Sequence, residues 1–386
     1  MISRVLLAVG LVVLMVISGV GSYIYLGSRQ SKLIAAPQVP TSISPLPEAF
    51  SLTGTLYLTQ SGAIYSLSLG RFHQLTAPAG WTQLAPYSGG NLLAVKRSLL
   101  YSDVYVLTRF GGVIRRVTNN NVAASNPDPG ARHWSFYPRL SPNQRTLYMS
   151  YDKPKYGFDV PLSIWAMPVN GSILQGRLWT ISNDYTGGDM QPMPLASGAL
   201  MYTKYLVGPD LKLVGQIWIT AGAGAVGRPL TTPAEDCMQP SLSPNGRTIA
   251  MICIHEAQVS YLTLATFNGS TLGPRKAVIT NQLVAQPTWS PDGSGIAYLA
   301  PAVLGTGFQL WWLPQAAYTP PTPSPSVIPT PGGPVNSPVP SSTPVAAPPP
   351  LAVKPIQVTT NLGLDATSPM VWIPFPPLKP GRRPPL

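Results

Sequence analysis

One four-residue turn, repeated along the chain, constrains the fold more than any other feature. Ser290-Pro291-Asp292-Gly293 sits in QPTWSPDGSGIAYLA. Gln239 opens a second copy, QPSLSPNGRTIAMI, with the turn Ser243-Pro244-Asn245-Gly246, and Tyr137 opens a third, YPRLSPNQRTLYMS. Weaker copies begin at Gln191, at Leu84 and, near the C-terminus, at Asp365. The aligned turn positions are Ser88, Ser141, Leu195, Ser243, Ser290 and Ser368. Their spacings are 53, 54, 48, 47 and 78 residues, and the last falls to 46 once a 32-residue Pro-rich run, 319–350, is set aside. The turn has a physical reason. Pro fixes φ at the first corner, Asp or Asn accepts nearby backbone N–H groups, and Gly takes a positive φ.

Each unit carries the same elements in the same order. A short apolar strand follows the turn, as at Leu92–Val95, Thr146–Met149, Thr248–Ile252, Gly295–Leu299 and Met370–Ile373. An aromatic-containing strand comes next, as at Val104–Thr108 and Phe308–Leu313, and then one ending near Thr or Ser, as at Phe72–Thr76 and Ile114–Thr118. Short β-branched and aromatic runs bounded by Gly, Pro and Asn read as strands. Four strands per period of this length is the sequence form of a propeller blade. The pattern predicts an all-β, six-bladed β-propeller, with seven blades as the alternative. Thr55–Thr59 reads as a strand of the kind that follows the turn. The ring therefore starts inside a blade, and the segment from Asp365 to Phe375 returns to supply that blade's inner strand, hiding a sheet edge.

The repeat resembles the TolB-type, WD40-like (PD40-type) propeller repeat, P-x-W-S-P-D-G-x-x-I-A-F. Pro287, Trp289, Ser290, Pro291, Asp292, Gly293, Ile296 and Ala297 match it, and Pro240, Ser243, Pro244, Asn245, Gly246, Ile249 and Ala250 match nearly as well. Upstream, Leu242, Pro194 and Leu140 take the place of Trp289. The resemblance spans about residues 51–375 and implies a scaffold, with protein interaction as its suggested use, rather than an activity. TolB itself has a further N-terminal domain where this chain has a helix and a short linker, so its role is not carried over.

Residues 5–26 read VLLAVGLVVLMVISGVGSYIYL, apolar and uncharged, long enough to cross a bilayer as a helix. That length favours an uncleaved signal-anchor over a cleaved signal peptide, while Ala35-Ala36 leaves cleavage open. The expected layout is a cytoplasmic end at 1–4, the span at 5–26, a Pro-containing linker at 27–50, the extracytoplasmic propeller at 51–375 and a tail at 376–386. The Pro-rich run 319–350 is an extended insert in the last blade. The two cysteines, Cys237 and Cys253, flank the Ser243–Gly246 turn almost symmetrically. A hairpin there brings them nearly opposite, half a register step apart, which a bulge absorbs. A disulfide between them fits an oxidising compartment.

The net charge of +12 comes from scarce acids rather than dense bases, 25 Lys and Arg against 13 Asp and Glu. The bases are scattered and no nucleic-acid motif accompanies them, so a nucleic-acid role is set aside. Attraction to an anionic surface remains in keeping with the charge. No H-E-x-x-H, G-x-S-x-G or Walker pattern occurs. His73, His133 and His255 fall in different units. Asp184 and Asp189 bracket a Gly-Gly loop, and Glu235-Asp236 is the one adjacent acidic pair; both read as ordinary turns. No catalytic residue, metal ligand or cofactor is assigned. Loop aromatics are more suggestive: Trp81, Trp134 and Tyr185, with His133 beside Trp134, and Trp312 of the Trp311-Trp312 pair, are the candidate binding residues.

These features favour a non-enzymatic, membrane-anchored module that contacts an envelope protein or polysaccharide through blade-end loops. The alternatives are a ligand-sensing ectodomain working with a membrane partner, and a propeller hydrolase or lyase with an unmarked site.

Overall fold

Near-continuous apolar runs in the middle strands, such as Leu92–Val95 and Gly295–Leu299, require both faces of each sheet to be covered, and a ring of packed sheets satisfies that requirement. The computed structural model describes residues 53–121, 129–153, 155, 161–255, 259–319 and 353–375, with His255 described by its backbone alone. The expected span 5–26, its flanks 1–4 and 27–50, the Pro-rich run beyond Thr319 and the tail 376–386 lie outside the described residues.

Blade 1 takes β1 (Thr55–Gln60), β2 (Ala63–Ser68) and β3 (Arg71–Gln74). Blade 2 is β4 (Trp81–Pro86), β5 (Leu92–Arg97), β6 (Ser102–Leu107) and β7 (Val113–Arg116). Blade 3 is β8 (Ser135–Leu140), β9 (Thr146–Tyr151), β10 (Ser163–Pro168) and β11 (Arg177–Leu178). Blade 4 is β12 (Asp189–Pro194), β13 (Leu200–Val207), β14 (Leu213–Thr220) and β15 (Arg228–Pro229). Blade 5 is β16 (Cys237–Leu242), β17 (Thr248–His255), β18 (Val259–Phe267) and β19 (Leu272–Ile279). Blade 6 is β20 (Ala285–Trp289), β21 (Gly295–Pro301), β22 (Phe308–Pro314) and β23 (Ile356–Gln357). The last strand, β24 (Val371–Ile373), joins blade 1. The described residues thus form six antiparallel four-stranded sheets, and no strands are left for a seventh.

The ring closes as expected, with β24 paired to β1 through Thr55↔Ile373, Leu56↔Trp372 and Tyr57↔Val371. One part of the repeat alignment is corrected. Met370–Ile373 is not a strand that follows the turn, and Ser368 is not a turn position. Strand β1 already fills that place in blade 1, so the returning segment takes the remaining inner edge. Ser368-Pro369 then aligns with Gln286-Pro287 rather than with Ser290-Pro291. The side chain of Thr53 donates to Asp292 Oδ2 at 2.9 Å, tying the start of the ring to the last blade's turn.

The turns work as their residues predict. Asp292 Oδ1 accepts from the Ser294 N–H at 3.0 Å and hydroxyl at 2.7 Å, and Gly293 has φ +74°. Slight burial opposes ionisation of Asp292, but hydrogen bonds from Ser290, Ser294 and Thr53 outweigh it and hold its carboxyl down at about 2. Asn245 accepts from Ser243 Oγ and the Arg247 N–H, with Gly246 at φ +71°. The Thr that ends the outer strand also has a structural use. Where that strand runs out, Thr76, Thr118, Thr180, Thr231 and Thr359 each accept a third-strand N–H through Oγ1 at 2.9–3.0 Å.

Each seam between neighbouring blades holds its own apolar cluster. Leu92 and Ala94 face blade 1, whereas Leu93 and Val95 face blade 3. Leu56 and Leu58 meet Leu299, Leu310 and Trp312 at the closing seam. Cys237 and Cys253 are bonded as expected and stand directly opposite, because a bulge between Met238 and Ser241 supplies the missing half step.

Candidate functional site

The inner strands line a central cavity of about 410 Å³. Each of β4, β8, β12, β16 and β20 carries a bulge. At each bulge a non-glycine residue adopts a left-handed φ: Gln83, Tyr137, Gln191, Gln239 and Gln286, all between +50° and +56°. That conformation is unfavourable for residues with a Cβ, and hydrogen bonds across the seams hold it. The Gln83 N–H donates to Ser368 Oγ at 2.7 Å and the Tyr137 N–H to Gln83 Oε1 at 2.9 Å. The Gln239 N–H donates to Gln191 Oε1 at 3.0 Å and the Gln286 N–H to Gln239 Oε1 at 2.7 Å. Gln286 Nε2 reaches Ala366 O at 2.9 Å. At the remaining seam the Tyr137 hydroxyl meets the Gln191 and Gln83 amides, and burial pushes its pKa up. Two residues after Tyr137, Arg139 is the one charged side chain lining the cavity among the described residues.

The blades present two faces. The turn between first and second strands and the turn between third and fourth strands share one, the turn face. The remaining connections form the loop face. There, blades 2 and 3 build a polar network around buried acids. Asp103 pairs with Arg116 at 2.5 Å and accepts from Thr118 Oγ1 and the Asn120 N–H, both at 2.9 Å. Asn120 Nδ2 donates to Ser102 O and Ser135 Oγ, both at 2.7 Å, and Tyr151 Oη donates to Asn120 Oδ1. His133 Nδ1 lies 2.8 Å from Asp152 Oδ1, and Lys155 Nζ 3.0 Å from Asp152 Oδ2. This gives an Asp–His couple. Among the described residues no hydroxyl or thiol is hydrogen-bonded to the far side of the ring, so two roles of a nucleophilic triad are occupied and the third is not.

The candidate aromatics divide. Trp134 lies beside His133 on the loop face, stacked on Phe136 at 5.8 Å with the Arg97 guanidinium 5.6 Å from its ring. Tyr185 is 83% exposed on the same face. Trp81 opens β4 rather than lying in a loop and is buried edge-on against Tyr105 at 5.4 Å. Trp312 is buried in the closing seam against Trp372. The structure therefore brings His133 and Trp134 together and leaves Trp81 and Trp312 as packing.

The acidic candidates are structural. Asp184 is exposed while Asp189 is buried 3.2 Å from Lys204 Nζ. Burial raises the Asp189 carboxyl to about 6 despite Lys204 and Thr180. Glu235 caps the Thr232 N–H at 2.6 Å and pairs with Arg275, and Asp236 accepts the Gly215 N–H. No cluster of three metal-ligating side chains occurs among the described residues. Sequence reasoning missed Tyr137, Arg139 and Asn120. The signal for the first two was present in YPRL, where other copies read QPSL and QPTW.

No protein-family model and no curated protein matches the sequence. Among solved structures, TolB from Acinetobacter baumannii aligns with TM-score 0.51 and 14% identity over 69% of this chain and 62% of that one. Kuenenia stuttgartiensis hydrazine synthase aligns with TM-score 0.53 and 10% identity over 68% of this chain and 44% of that one. The chain thus spans less than two thirds of either. A structure named for TolB from Agrobacterium tumefaciens gives TM-score 0.48 and 16% identity over 69% of this chain and 86% of that one. The likeness is one of fold: this chain is a six-bladed β-propeller similar to that of TolB.

Proposed function

We propose that the chain is a membrane-anchored, extracytoplasmic binding module, held by residues 5–26. Its turn face meets the bilayer, and its loop face meets an envelope protein or polysaccharide. The near-absence of acids from the turn face, among the described residues, carries this reading. Arg71, Arg109, Arg145, Arg177, Arg228 and Arg247 are exposed on the turn face. Asp292 is the only acidic residue there among the described residues, and the others, from Asp103 to Asp365, belong to the loop face. Four third-to-fourth-strand turns add exposed apolar tips, Leu69, Phe110, Leu174 and Val226. Apolar tips set among arginines suit an anionic headgroup layer, where each base near the surface contributes about 1 kcal/mol. The disulfide suits an oxidising compartment. On the loop face His133, Trp134 and Tyr185 stand with exposed Leu99, Leu211 and Leu304 as the contact surface.

The test uses the full chain carrying an environment-sensitive fluorophore at Val226→Cys or at Leu211→Cys, mixed with phosphatidylglycerol or phosphatidylcholine vesicles. The reading expects a blue shift at 226 with the anionic vesicles, weakened by high salt, and none at 211. A shift at 211 instead, or equal shifts at both, overturns the orientation, and a chain that does not co-sediment with either vesicle overturns the anchoring.

A further inference from the structure

We propose that the central cavity is a binding site for a small monocarboxylate with an apolar body, whose carboxylate is held by the Arg139 guanidinium.

Five observations converge on it. Arg139 has no hydrogen-bond or ion-pair partner among the described residues, whereas Arg115, Arg116, Arg228 and Arg275 each have one. Its surroundings are desolvating: burial alone brings its pKa down to about 10, with no carboxylate opposing, so it remains charged at neutral pH. An uncompensated charge of this kind is costly to hold. The remaining walls are neutral, with Leu140, Met193, Leu242, Trp289 and Trp372 as apolar surface and Ser241 and Thr288 as hydroxyls. The volume falls within the range of small-molecule pockets.

The fifth and strongest observation is that blade 3 alone departs from the ring's pattern at two successive wall positions. The first position is Gln in blades 2, 4, 5 and 6 and Ser in blade 1, and each side chain there hydrogen-bonds across a seam. Blade 3 has Tyr137. The second position is Ala85, Met193, Ser241, Thr288 and Met370 in the other blades, small or uncharged, and Arg139 in blade 3. A scaffold position that needs no charge in five blades gains nothing structural from one in the sixth.

Ligand chemistry follows from the charge count. A guanidinium presents a planar fork of donors that matches carboxylate and phosphate alike. One cation and no second base neutralise a monoanion and leave a dianion with a net buried charge. The walls favour an aliphatic or aromatic body over a sugar. The inference does not rest on the loop-face reading, since the cavity lies inside the ring.

Calorimetric titration of the full chain at constant ionic strength tests this, at mildly alkaline pH where phosphate is a dianion and Arg139 stays charged, with benzoate as the carboxylate probe and inorganic phosphate as the dianionic one. Saturable benzoate binding with a matching rise in Tm is expected, with phosphate at least tenfold weaker. Arg139→Met should abolish the response while leaving the ligand-free Tm at or above that of the parent, because it removes an unpaired charge. Arg139→Lys should weaken binding several-fold. A parent chain that does not bind benzoate, an Arg139→Met chain that binds it unchanged, or an Arg139→Met chain with a lowered ligand-free Tm overturns the site. Phosphate binding as tight as benzoate overturns the monoanion assignment. The Leu211→Cys chain should bind benzoate normally, which separates this result from the loop-face test.

Discussion

Blades 3 and 5 occupy equivalent places in the ring and solve the same problems by different means. Both inner strands bulge at the same step, with Tyr137 and Gln239 at φ +50° and +56°. At the outermost register of the inner hairpin, blade 5 pairs Cys237 with Cys253 and bonds them. Blade 3 pairs Ser135 with Tyr151 there and joins them through Asn120. Further along, blade 5 turns at Asn245-Gly246, whereas blade 3 turns at Asn143-Gln144, placing a glutamine at φ +58°. Facing the cavity, blade 5 contributes Gln239 as a seam hydrogen-bonder and Ser241, and blade 3 contributes Tyr137 and Arg139. Blade 5 obeys the repeat and spends its residues on rigidity. Blade 3 breaks the repeat at the turn and at the channel wall, and the second departure makes the candidate cavity site.

Three measurements break or sharpen that contrast. The largest effect is expected for Cys237→Ser with Cys253→Ser, which opens a loop of 16 residues and should cost about 3 kcal/mol in denaturant unfolding. If Asn120→Ala in blade 3 costs more than this, hydrogen bonds and not the bond between sulfurs are the stronger staple. Next, Gln239→Ala leaves the Gln286 N–H without its partner and should cost about 1–3 kcal/mol by the same assay. A neutral result would show that the glutamine seams do not hold the bulges. The smallest effects are opposite in sign. Gly246→Ala meets open space but a left-handed φ, and should lower stability by about 1 kcal/mol. Gln144→Gly should raise it by about 0.5–1 kcal/mol, read as a shift in Tm. Equal signs for the two would mean that the blade 3 turn is not strained relative to that of blade 5.

Much of the architecture was legible because it is periodic. The Ser-Pro-Asp-Gly turn is recognisable without its neighbours, since its hydrogen bonds are local: Asp292 to Ser294, Asn245 to Ser243 and Arg247. The disulfide was legible for the same reason, as a hairpin property. Trp81 and Trp312 misled because exposure is not local: whether a strand-end tryptophan meets solvent depends on the adjoining blade, here Tyr105 for one and Trp372 for the other. Met370–Ile373 misled because its partner, Thr55–Tyr57, is more than 300 residues away in the chain.

By itself, then, the sequence determined the period, the order of strands, the turn chemistry and the facing cysteine pair, and it narrowed the ring to six or seven blades. All of these follow from short-range geometry repeated at a regular interval. Only the tertiary structure decided that the inner strands interlock through glutamines, that all but one of the described acids gather on one face, and that Arg139 stands without a counter-charge in a neutral cavity. Those facts depend on which blades become neighbours when the ring closes. Closure places residues from six distant segments around one axis, and no local pattern in the chain encodes that meeting.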